Sequence, residues 1–423
     1  MNPETKLPSA WSSFLLHLHP KKLNAQSVKF TRTFGLGGIS ALLFVILAFT
    51  GVLLRFSYVP SPLHAYNSLI DLQENSLLGG LLRNIHHWSA MLMIISVFLH
   101  LLRVFYSTSI YYERRKTWYY GLALFATVLA FNFTGYLLPW DQLSYWAVSI
   151  MTNIIEYIPW IGHGLADLLR GGENVNKNTL LNFYTFHTAL LPLLMMAFML
   201  IHFWLIRKSK GVTVADPDKH EMIDVNPYLI QKEIIAALAV IISIVVFSIF
   251  VNAPLREMAN PVVSPNPSKA PWYFMGIQEL LINLHPLFVS LILPLALLGF
   301  FIYLPTLKIP AERIGKWFYS KNGKRIVGLS ALFAALLSFI LIIVLEHLAH
   351  LNNLDLPLII STGLIPLFLY LIPAAAFIFY LKKALKTDRT EIYISIMTFI
   401  LSSYVLMSLV GIWLRTENMH LIF

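Results

Sequence analysis

Residues 83–103 read RNIHHWSAMLMIISVFLHLLR, and this stretch decides the fold that we expect for the whole chain. It is an apolar segment with an arginine at each end and two histidines, His86 and His100, that are 14 residues apart. At about 100° per residue, this separation returns to within about 40° of the same helix face, with a rise of about 21 Å. The two imidazoles are therefore predicted to lie on one side of a helix, at two depths of a bilayer.

A second apolar segment carries a matching pair of histidines. Residues 182–207 read NFYTFHTALLPLLMMAFMLIHFWLIR, with His187 and His202 separated by 15 residues. The extra residue places His202 about 60° off the face of His187, and Pro192 between them can bend or rewind the helix enough to correct this offset. Both segments run in the same direction across the membrane, so the first histidines of the two segments share one depth and the second histidines share another.

The rest of the chain is also unusually apolar. Of its 423 residues, 57% are hydrophobic and 12% are charged, about half the charged fraction of an ordinary soluble domain. Spans of this kind are helical, because a lipid-exposed segment must satisfy its own backbone hydrogen bonds. We therefore predict an all-α integral membrane protein with a four-helix bundle that carries the histidines. The apolar runs of about 20 residues lie at about 36–58, 85–106, 118–138, 181–206, 233–252, 286–305, 327–346, 359–381 and 392–414.

The distribution of positive charge along the chain indicates its orientation in the membrane. Of the 31 Lys and Arg residues, 24 fall on the side that holds the N-terminus and 7 on the other side. Such a bias marks the cytoplasmic side, so we expect the N-terminus in the cytoplasm and the C-terminus outside a bacterial inner membrane. The net charge of +10 thus reflects topology, and no binding of nucleic acid is expected.

The four histidines predict two haems. Buried polar residues inside a membrane are costly and usually functional. One such histidine is more often a core residue that bonds to a neighbouring helix, but four at matched depths favour axial ligation of iron. His86 and His187 would hold one haem, and His100 and His202 the other. The chain has no cysteine, which excludes thioether attachment and predicts b-type haems.

Two pairs of glycines repeat the spacing of the first two histidines. Gly37 and Gly51 lie in the first span, and Gly121 and Gly135 in the third, again 14 residues apart. A glycine lets a porphyrin edge touch the helix backbone, although glycines also serve plain helix packing. We therefore predict that all four line the haem sites.

Two arginines flank the histidines of the second span. Arg83 lies three residues before His86, and Arg103 three residues after His100. Each is one turn nearer the membrane surface than its histidine, where it could pair with haem propionates. The alternative is an arginine that extends its charged end to the interface from the end of a helix.

These motifs resemble those of the cytochrome b subunit of the cytochrome bc complexes, the quinol–cytochrome c reductases. The resemblance is carried by RNIHHWSA, GYLLPWDQLSYWAV and FHTALLPLL and extends over about residues 30–305. The first half is especially similar to the chloroplast-type cytochrome bf version, and the second half, a separate chain there, is fused here. The implied boundaries are a di-haem bundle at 1–210, a connection with two spans and the outer quinol loop at 211–305, and C-terminal helices at 306–423.

The resemblance implies a Q-cycle that translocates protons. Quinol would be oxidised at the outer face, and electrons would cross two b-type haems to reduce quinone at the inner face. The low-potential haem would be held by His86 and His187, and the high-potential haem by His100 and His202. The implied partners are a Rieske iron–sulfur protein, a c-type cytochrome, quinone, the lipid bilayer and a second copy of this chain in a homodimer.

The resemblance also implies residues for the two quinone sites. The outer quinol pocket would combine Tyr136, the PWDQLSYW segment at 139–146 and a second outer loop. That loop contributes Pro271, Trp272, Tyr273 and Phe274. The inner quinone site would involve Arg207, Lys232 and Glu233.

The sequence departs from the family pattern at two positions. The family has a Glu before the Trp-Tyr of the second outer loop, where this chain has Pro271. Glu279, seven residues beyond Trp272 and on the same helical face, is our candidate for removing the quinol proton; the alternative is an ordinary carboxylate at the membrane surface. Gly35 stands where the chloroplast-type chain has the cysteine for an additional covalent haem.

Two other functions remain open from the residues alone. A di-haem cytochrome b that anchors a dehydrogenase or hydrogenase to the membrane also needs four histidines, but it does not need the two outer loops. A transporter could use intramembrane histidines for proton relay, although it would favour broken helices or inverted repeats.

Overall fold

The computed structural model of the chain describes residues 19–76, 78–216, 220–318, 320, 322–348 and 356–422. Within these ranges, nine helices are long and apolar enough to cross a membrane, which confirms the predicted all-α membrane fold. We number them as spans 1 to 9 in chain order: Leu36–Leu54, Gly79–Tyr106, Tyr112–Leu137, Lys177–Lys208, Tyr228–Phe250, Phe288–Thr306, Gly323–His347, Ile359–Ala384 and Arg389–Trp413.

Spans 1 to 4 form the bundle that carries the histidines. Span 1 packs against span 2, span 3 against span 4, and spans 2 and 3 are neighbours, while span 5 covers span 2 from outside. Each of the four spans contributes to one buried cluster of Leu43, Met93, Ile94, Val128 and Met195. The apolar spans thus pack around a common centre and turn their histidines towards it.

Span 4 contains a wide turn at its first histidine. The span begins as an α-helix, Lys177–Thr185, passes through a π-helical turn, Phe186–Leu190, and continues as an α-helix, Leu191–Lys208. A π turn accommodates one extra residue, so the 15-residue spacing of span 4 gives the same face as 14 residues of regular helix. The expected correction of the offset thus occurs in this turn, directly before Pro192.

Spans 6 and 8 repeat this construction. Their π turns, Phe288–Ile292 and Ile359–Leu364, are each followed by an α-helix with a proline as its second residue. The following α-helices are Leu293–Tyr303 and Ile365–Ala384.

In the described residues, four shorter α-helices lie between the spans, on the outer side in the predicted topology. They are α1 (Ala65–Glu74), α2 (Gln142–Ile155), α3 (Gly162–Arg170) and α4 (Met275–Asn283). Helix α4 packs against span 9, which also packs against span 7.

On the opposite side, a short antiparallel sheet ties the chain before span 1 to the connection between spans 4 and 5. Strand β1 (Lys22–Asn24) pairs with strand β2 (Met222–Asp224). The domain boundaries at 210 and 305 stay a prediction.

Candidate functional site

The two outer histidines face each other across the bundle. The ring centres of His86 and His187 are 6.3 Å apart. Two imidazoles that bind one metal ion through bonds of about 2 Å have ring centres about 6 Å apart. The separation in this pair would therefore suit two imidazoles that hold one iron.

The two inner histidines also come together, as their spacing predicts. His100 and His202 line one cavity, which we call the inner cavity, together with Gly121, Arg103 and Arg114. Arg114 was counted in the sequence only as a cytoplasmic charge, so its place in this cavity was missed. Two arginines beside a pair of imidazoles would suit a group that carries carboxylates, as haem does.

Each of the four predicted glycines lies against the imidazole at its own depth. A Cβ atom at any of these positions would point at the Cε1 atom of one histidine, and at Gly37, Gly51 and Gly135 it would come close enough to push the ring away. The distances would be 3.3 Å for Gly37 and His100, 3.2 Å for Gly51 and His86, 3.4 Å for Gly121 and His202, and 2.6 Å for Gly135 and His187. The glycines thus contact the imidazoles themselves, where the sequence suggested a porphyrin edge.

Hydrogen bonds fix the outer imidazoles. His86 Nδ1 lies 2.8 Å from the hydroxyl of Thr50. His187 Nδ1 lies 3.1 Å from the carbonyl oxygen of Phe131 and 3.3 Å from the hydroxyl of Thr134. A carbonyl only accepts, so Nδ1 of His187 carries the hydrogen and Nε2 is left free to bind a metal. The two threonines were missed in the sequence, although each directly precedes one of the four glycines.

The flanking arginines are buried and bonded to backbone carbonyls. The guanidinium of Arg83 donates to the carbonyls of Ala253 and Pro254, both at 2.8 Å. This contact ties the outer end of span 2 to the connection that follows span 5. Arg103 Nε donates to the carbonyl of Arg32 at 2.9 Å, while its side chain borders the inner cavity. Of the two, Arg103 is better placed to reach a propionate.

Most of the residues predicted for the quinol pocket meet in one place. Tyr136, Pro271, Tyr273 and Phe274 line a cavity with Gln278, which we call the outer cavity. Burial raises the pKa of Tyr273 well above its ordinary value, with a further contribution from the neighbouring Tyr136. Its hydroxyl therefore stays protonated at neutral pH and can donate a hydrogen bond.

Trp272 lies outside the lining of the outer cavity. Its side chain is 42% exposed, and its indole N–H points to the sulfur of Met91 at 3.3 Å. It packs edge-on against Tyr273. Trp272 therefore supports the cavity wall from outside.

The two outer loops that the sequence singled out are bonded to each other. Asp141 accepts from the backbone N–H groups of Ser144 at 2.9 Å and Arg256 at 3.1 Å, which caps helix α2 and joins the loops. The backbone of Trp140 accepts from Ala259 at 3.0 Å. The PWDQ segment thus belongs to the frame of the outer cavity.

Glu279 faces away from the outer cavity. Phe274 and, from helix α4, Ile277, Gln278 and Leu281 line the cavity, whereas the buried carboxylate of Glu279 pairs with Arg415. A proton acceptor needs hydrogen-bond reach to its substrate. The contacts of Glu279 therefore do not support the expected role in removing the quinol proton.

The residues expected at the inner quinone site lie at the ends of two consecutive spans. Arg207 is in the last turn of span 4. At the start of span 5, Lys232 donates to the carbonyl of Val28 at 3.0 Å, and Glu233 lies 3.4 Å from His19. None of the three lines the inner cavity, so their part in quinone binding stays a prediction.

Comparisons with known proteins show a likeness in sequence over the first half of the chain. A family model described as cytochrome b/b6/petB matches residues 22–210. Cytochrome b6 of Prochlorococcus marinus (strain MIT 9515) is 43% identical over 174 residues, which cover 41% of this chain and 80% of that protein. Cytochrome b6 of Tupiella akineta is also 43% identical over 174 residues, covering 41% of this chain and 81% of its own.

A structural likeness extends over the second half of the chain as well. A chain of a solved hyperthermophilic respiratory Complex III superposes with a TM-score of 0.65 at 19% sequence identity, covering 95% of this chain and 96% of that one. At this identity the likeness concerns the fold alone. Because the chain covers four fifths of relatives that are 43% identical to it, it belongs to the cytochrome b/b6 family of haem-binding membrane proteins.

Proposed function

We propose that the chain is the di-haem cytochrome b of a quinol:cytochrome c oxidoreductase that works by a Q-cycle. The observation that carries this proposal is the pairing of His86 with His187 and of His100 with His202, with one glycine against each ring. Family membership and the Complex III-like fold support it. The outer cavity adds a place where quinol could bind.

In this proposal, His86 and His187 hold the low-potential haem, and His100 and His202 hold the high-potential haem. When bound, the haems supply one-electron transfer across the membrane. The chain's own part is to keep Nε2 of each imidazole free and to exclude side chains at the glycines. Arg103 and Arg114, which border the inner cavity, would neutralise propionates there.

The outer cavity would bind quinol between the two loops. The buried and protonated hydroxyl of Tyr273 can donate a hydrogen bond to a quinol oxygen, while Tyr136, Pro271 and Phe274 supply apolar walls. The buried Asp141 holds the two loops together. Electrons would leave this site for a Rieske iron–sulfur protein and onward to a c-type cytochrome, and protons would be released outside.

The remaining parts of the proposal concern the inner side and the assembly. Quinone would be reduced near Arg207, Lys232 and Glu233 on the cytoplasmic side of a bacterial inner membrane. The excess of Lys and Arg on the side of the N-terminus supports this orientation. A homodimer is proposed from the family resemblance.

A reduced optical spectrum is the first test of the proposal. We expect two b-type haem signals in the purified protein, and we expect His100→Leu to remove the inner signal while His86→Leu removes the outer one. If all four histidine variants kept both signals, the haem assignment would be wrong.

A second test separates the reductase from the alternative, a di-haem anchor of a dehydrogenase or hydrogenase. Inhibitor-sensitive quinol:cytochrome c reduction by the purified complex, together with co-purification of a Rieske protein, is expected only for the reductase. Two haems without either property would favour the anchor.

A further inference from the structure

We propose that Thr50 is a positioning residue that holds His86 in one tautomer and thereby lowers the reduction potential of the haem at the outer pair. This inference rests on the proposed di-haem function. It concerns a hydrogen bond of 2.8 Å between the threonine hydroxyl and Nδ1 of His86. Thr50 is only 3% exposed, so water does not compete for this bond.

The direction of the hydrogen bond follows from the other contacts of Thr50. Its hydroxyl lies 2.8 Å from the carbonyl oxygen of Ile46, one turn earlier in span 1. A hydroxyl has a single hydrogen, and the carbonyl can only accept, so that hydrogen is donated to Ile46. Towards His86 the hydroxyl oxygen therefore acts as the acceptor. Nδ1 of His86 carries the hydrogen, and Nε2 is the atom left for iron.

The partner histidine is held in a similar way, with a weaker contribution from its threonine. The hydroxyl of Thr134 donates to the carbonyl of Ala130 at 2.8 Å and lies 3.3 Å from Nδ1 of His187. That nitrogen is closer to the carbonyl of Phe131, at 3.1 Å. Thr134 is therefore one of two acceptors at His187.

The inner pair lacks these threonines. At the outer pair, a threonine directly precedes each glycine. At the inner pair, Leu36 precedes Gly37 and Tyr120 precedes Gly121. Nδ1 of His202 is buried near the backbone of Thr117 without a hydrogen bond of normal geometry. The two haem sites thus share their glycines, but a threonine precedes the glycine only at the outer site.

This difference has a predictable effect on the potentials. An acceptor at Nδ1 raises the basicity of a metal-bound imidazole. A more basic ligand stabilises the oxidised iron, which carries the larger positive charge, and so lowers the potential. In a site of low dielectric the effect of a hydrogen bond is stronger than in water. The outer haem is therefore expected to be the harder one to reduce.

The test is an optical redox titration of the purified protein with Thr50→Val. Valine has the shape of threonine without the hydroxyl, so the imidazole keeps its packing and loses its acceptor. We expect the equilibrium constant for reduction of the outer haem to rise about tenfold, which corresponds to about 59 mV for one electron. The inner haem should keep its potential. Thr50→Ser, which keeps the hydroxyl, should restore the outer potential.

Thr134→Val provides the matched comparison. We expect a smaller rise at the outer haem, because the carbonyl of Phe131 remains as an acceptor for His187. If Thr50→Val does not retain its outer haem, Thr134→Val becomes the deciding variant. A higher potential of the outer haem in Thr134→Val would then support the proposal, and an unchanged potential would overturn it. If Thr50→Val retains both haems, an unchanged reduction potential of the outer haem overturns the proposal as well. A wild-type protein without two haem signals would instead refute the proposed function.

Discussion

Arg415 and Glu279 form an ion pair in which both side chains are completely buried. The two residues are 136 positions apart and join helix α4, beside the outer cavity, to the residues that follow span 9. A second nitrogen of Arg415 pairs with Glu346, at the end of span 7, at 2.7 Å. Burial lowers the pKa of Arg415, but the bonds to Glu279 and Glu346 outweigh this effect and raise it above its ordinary value. The arginine therefore stays charged at any working pH.

Removing the arginine should destabilise this end of the protein. A buried pair that loses one partner leaves an uncompensated charge, which costs about 3–5 kcal/mol. We expect Arg415→Met to lower the thermal denaturation midpoint in detergent clearly, and Glu279→Gln in the same chain to recover part of the loss. A midpoint equal to that of the unchanged protein would contradict the structural role of the pair.

Glu279→Gln alone tests the expectation that Glu279 accepts the quinol proton. Because Glu279 faces Arg415, we expect this change to affect stability more than the rate of quinol oxidation once the folded fraction is taken into account. Glu346→Gln, which removes the other partner of Arg415, is the control and should behave similarly. A much slower quinol oxidation with Glu279→Gln only would restore Glu279 as the proton acceptor.

The side chain of Gln278 holds a loop that lines the outer cavity. Its side-chain oxygen accepts from the backbone of Ala270 at 2.7 Å, and its nitrogen donates to the carbonyl of Ser268 at 2.6 Å. Two lost hydrogen bonds of about 1 kcal/mol each should loosen this loop. We expect Gln278→Leu to raise KM for quinol about tenfold or more, measured by steady-state quinol oxidation.

Gln142→Leu, in the PWDQ segment that frames the outer cavity without lining it, is the matched comparison for that experiment. The side chain of Gln142 makes a similar pair of hydrogen bonds, to the backbone of Asn260 and Val263. It does not line the outer cavity. Equal effects of the two variants on KM would indicate a general loss of loop stability.

The glycines beside the imidazoles should not tolerate a methyl group equally well. Alanine at Gly135 would place Cβ only 2.6 Å from His187, whereas alanine at Gly121 would meet His202 at an ordinary 3.4 Å. We therefore expect Gly135→Ala to reduce the outer haem signal strongly, and Gly121→Ala to have a mild effect on the inner one. The reduced optical spectrum measures both.

Gly38 supplies the control, because nothing lies within 4 Å of a Cβ atom at that position. Gly38→Ala should leave both haem signals intact, while Gly37→Ala, one residue away, must displace His100 by a few tenths of an ångström. A haem content equally reduced by both variants would show that contact with the imidazole is not the cause of the loss.

Much of this architecture could be predicted from the sequence, because the informative signals are local. The length of the apolar runs gave the spans, and the 14- and 15-residue spacings brought His86 to His187 and placed His100 and His202 on one cavity. The spacing also predicted the four glycines as members of the site. Such features depend on helix geometry alone.

The partners of individual polar side chains could not be predicted in this way. Arg83 bonds to carbonyls about 170 residues away in the sequence. The spacing of residues within its own helix cannot predict such a contact. Glu279 lies on the expected helix, yet its orientation depends on Arg415, which follows the last span. Thr50 was missed because a threonine in an apolar helix usually bonds to its own backbone, and here it does that as well.

Because the wide turn at Phe186–Leu190 holds one residue more than regular α-helix, the two ends of span 4 keep their faces despite this extra residue. Deleting one residue inside the turn would convert it to regular α-helix and leave both ends facing as before. Deleting one residue between Pro192 and His202 would instead rotate His202 by about 100° around the helix axis, out of the bundle. Length variation in this helix is therefore tolerable at the one place where the backbone already carries a residue in excess.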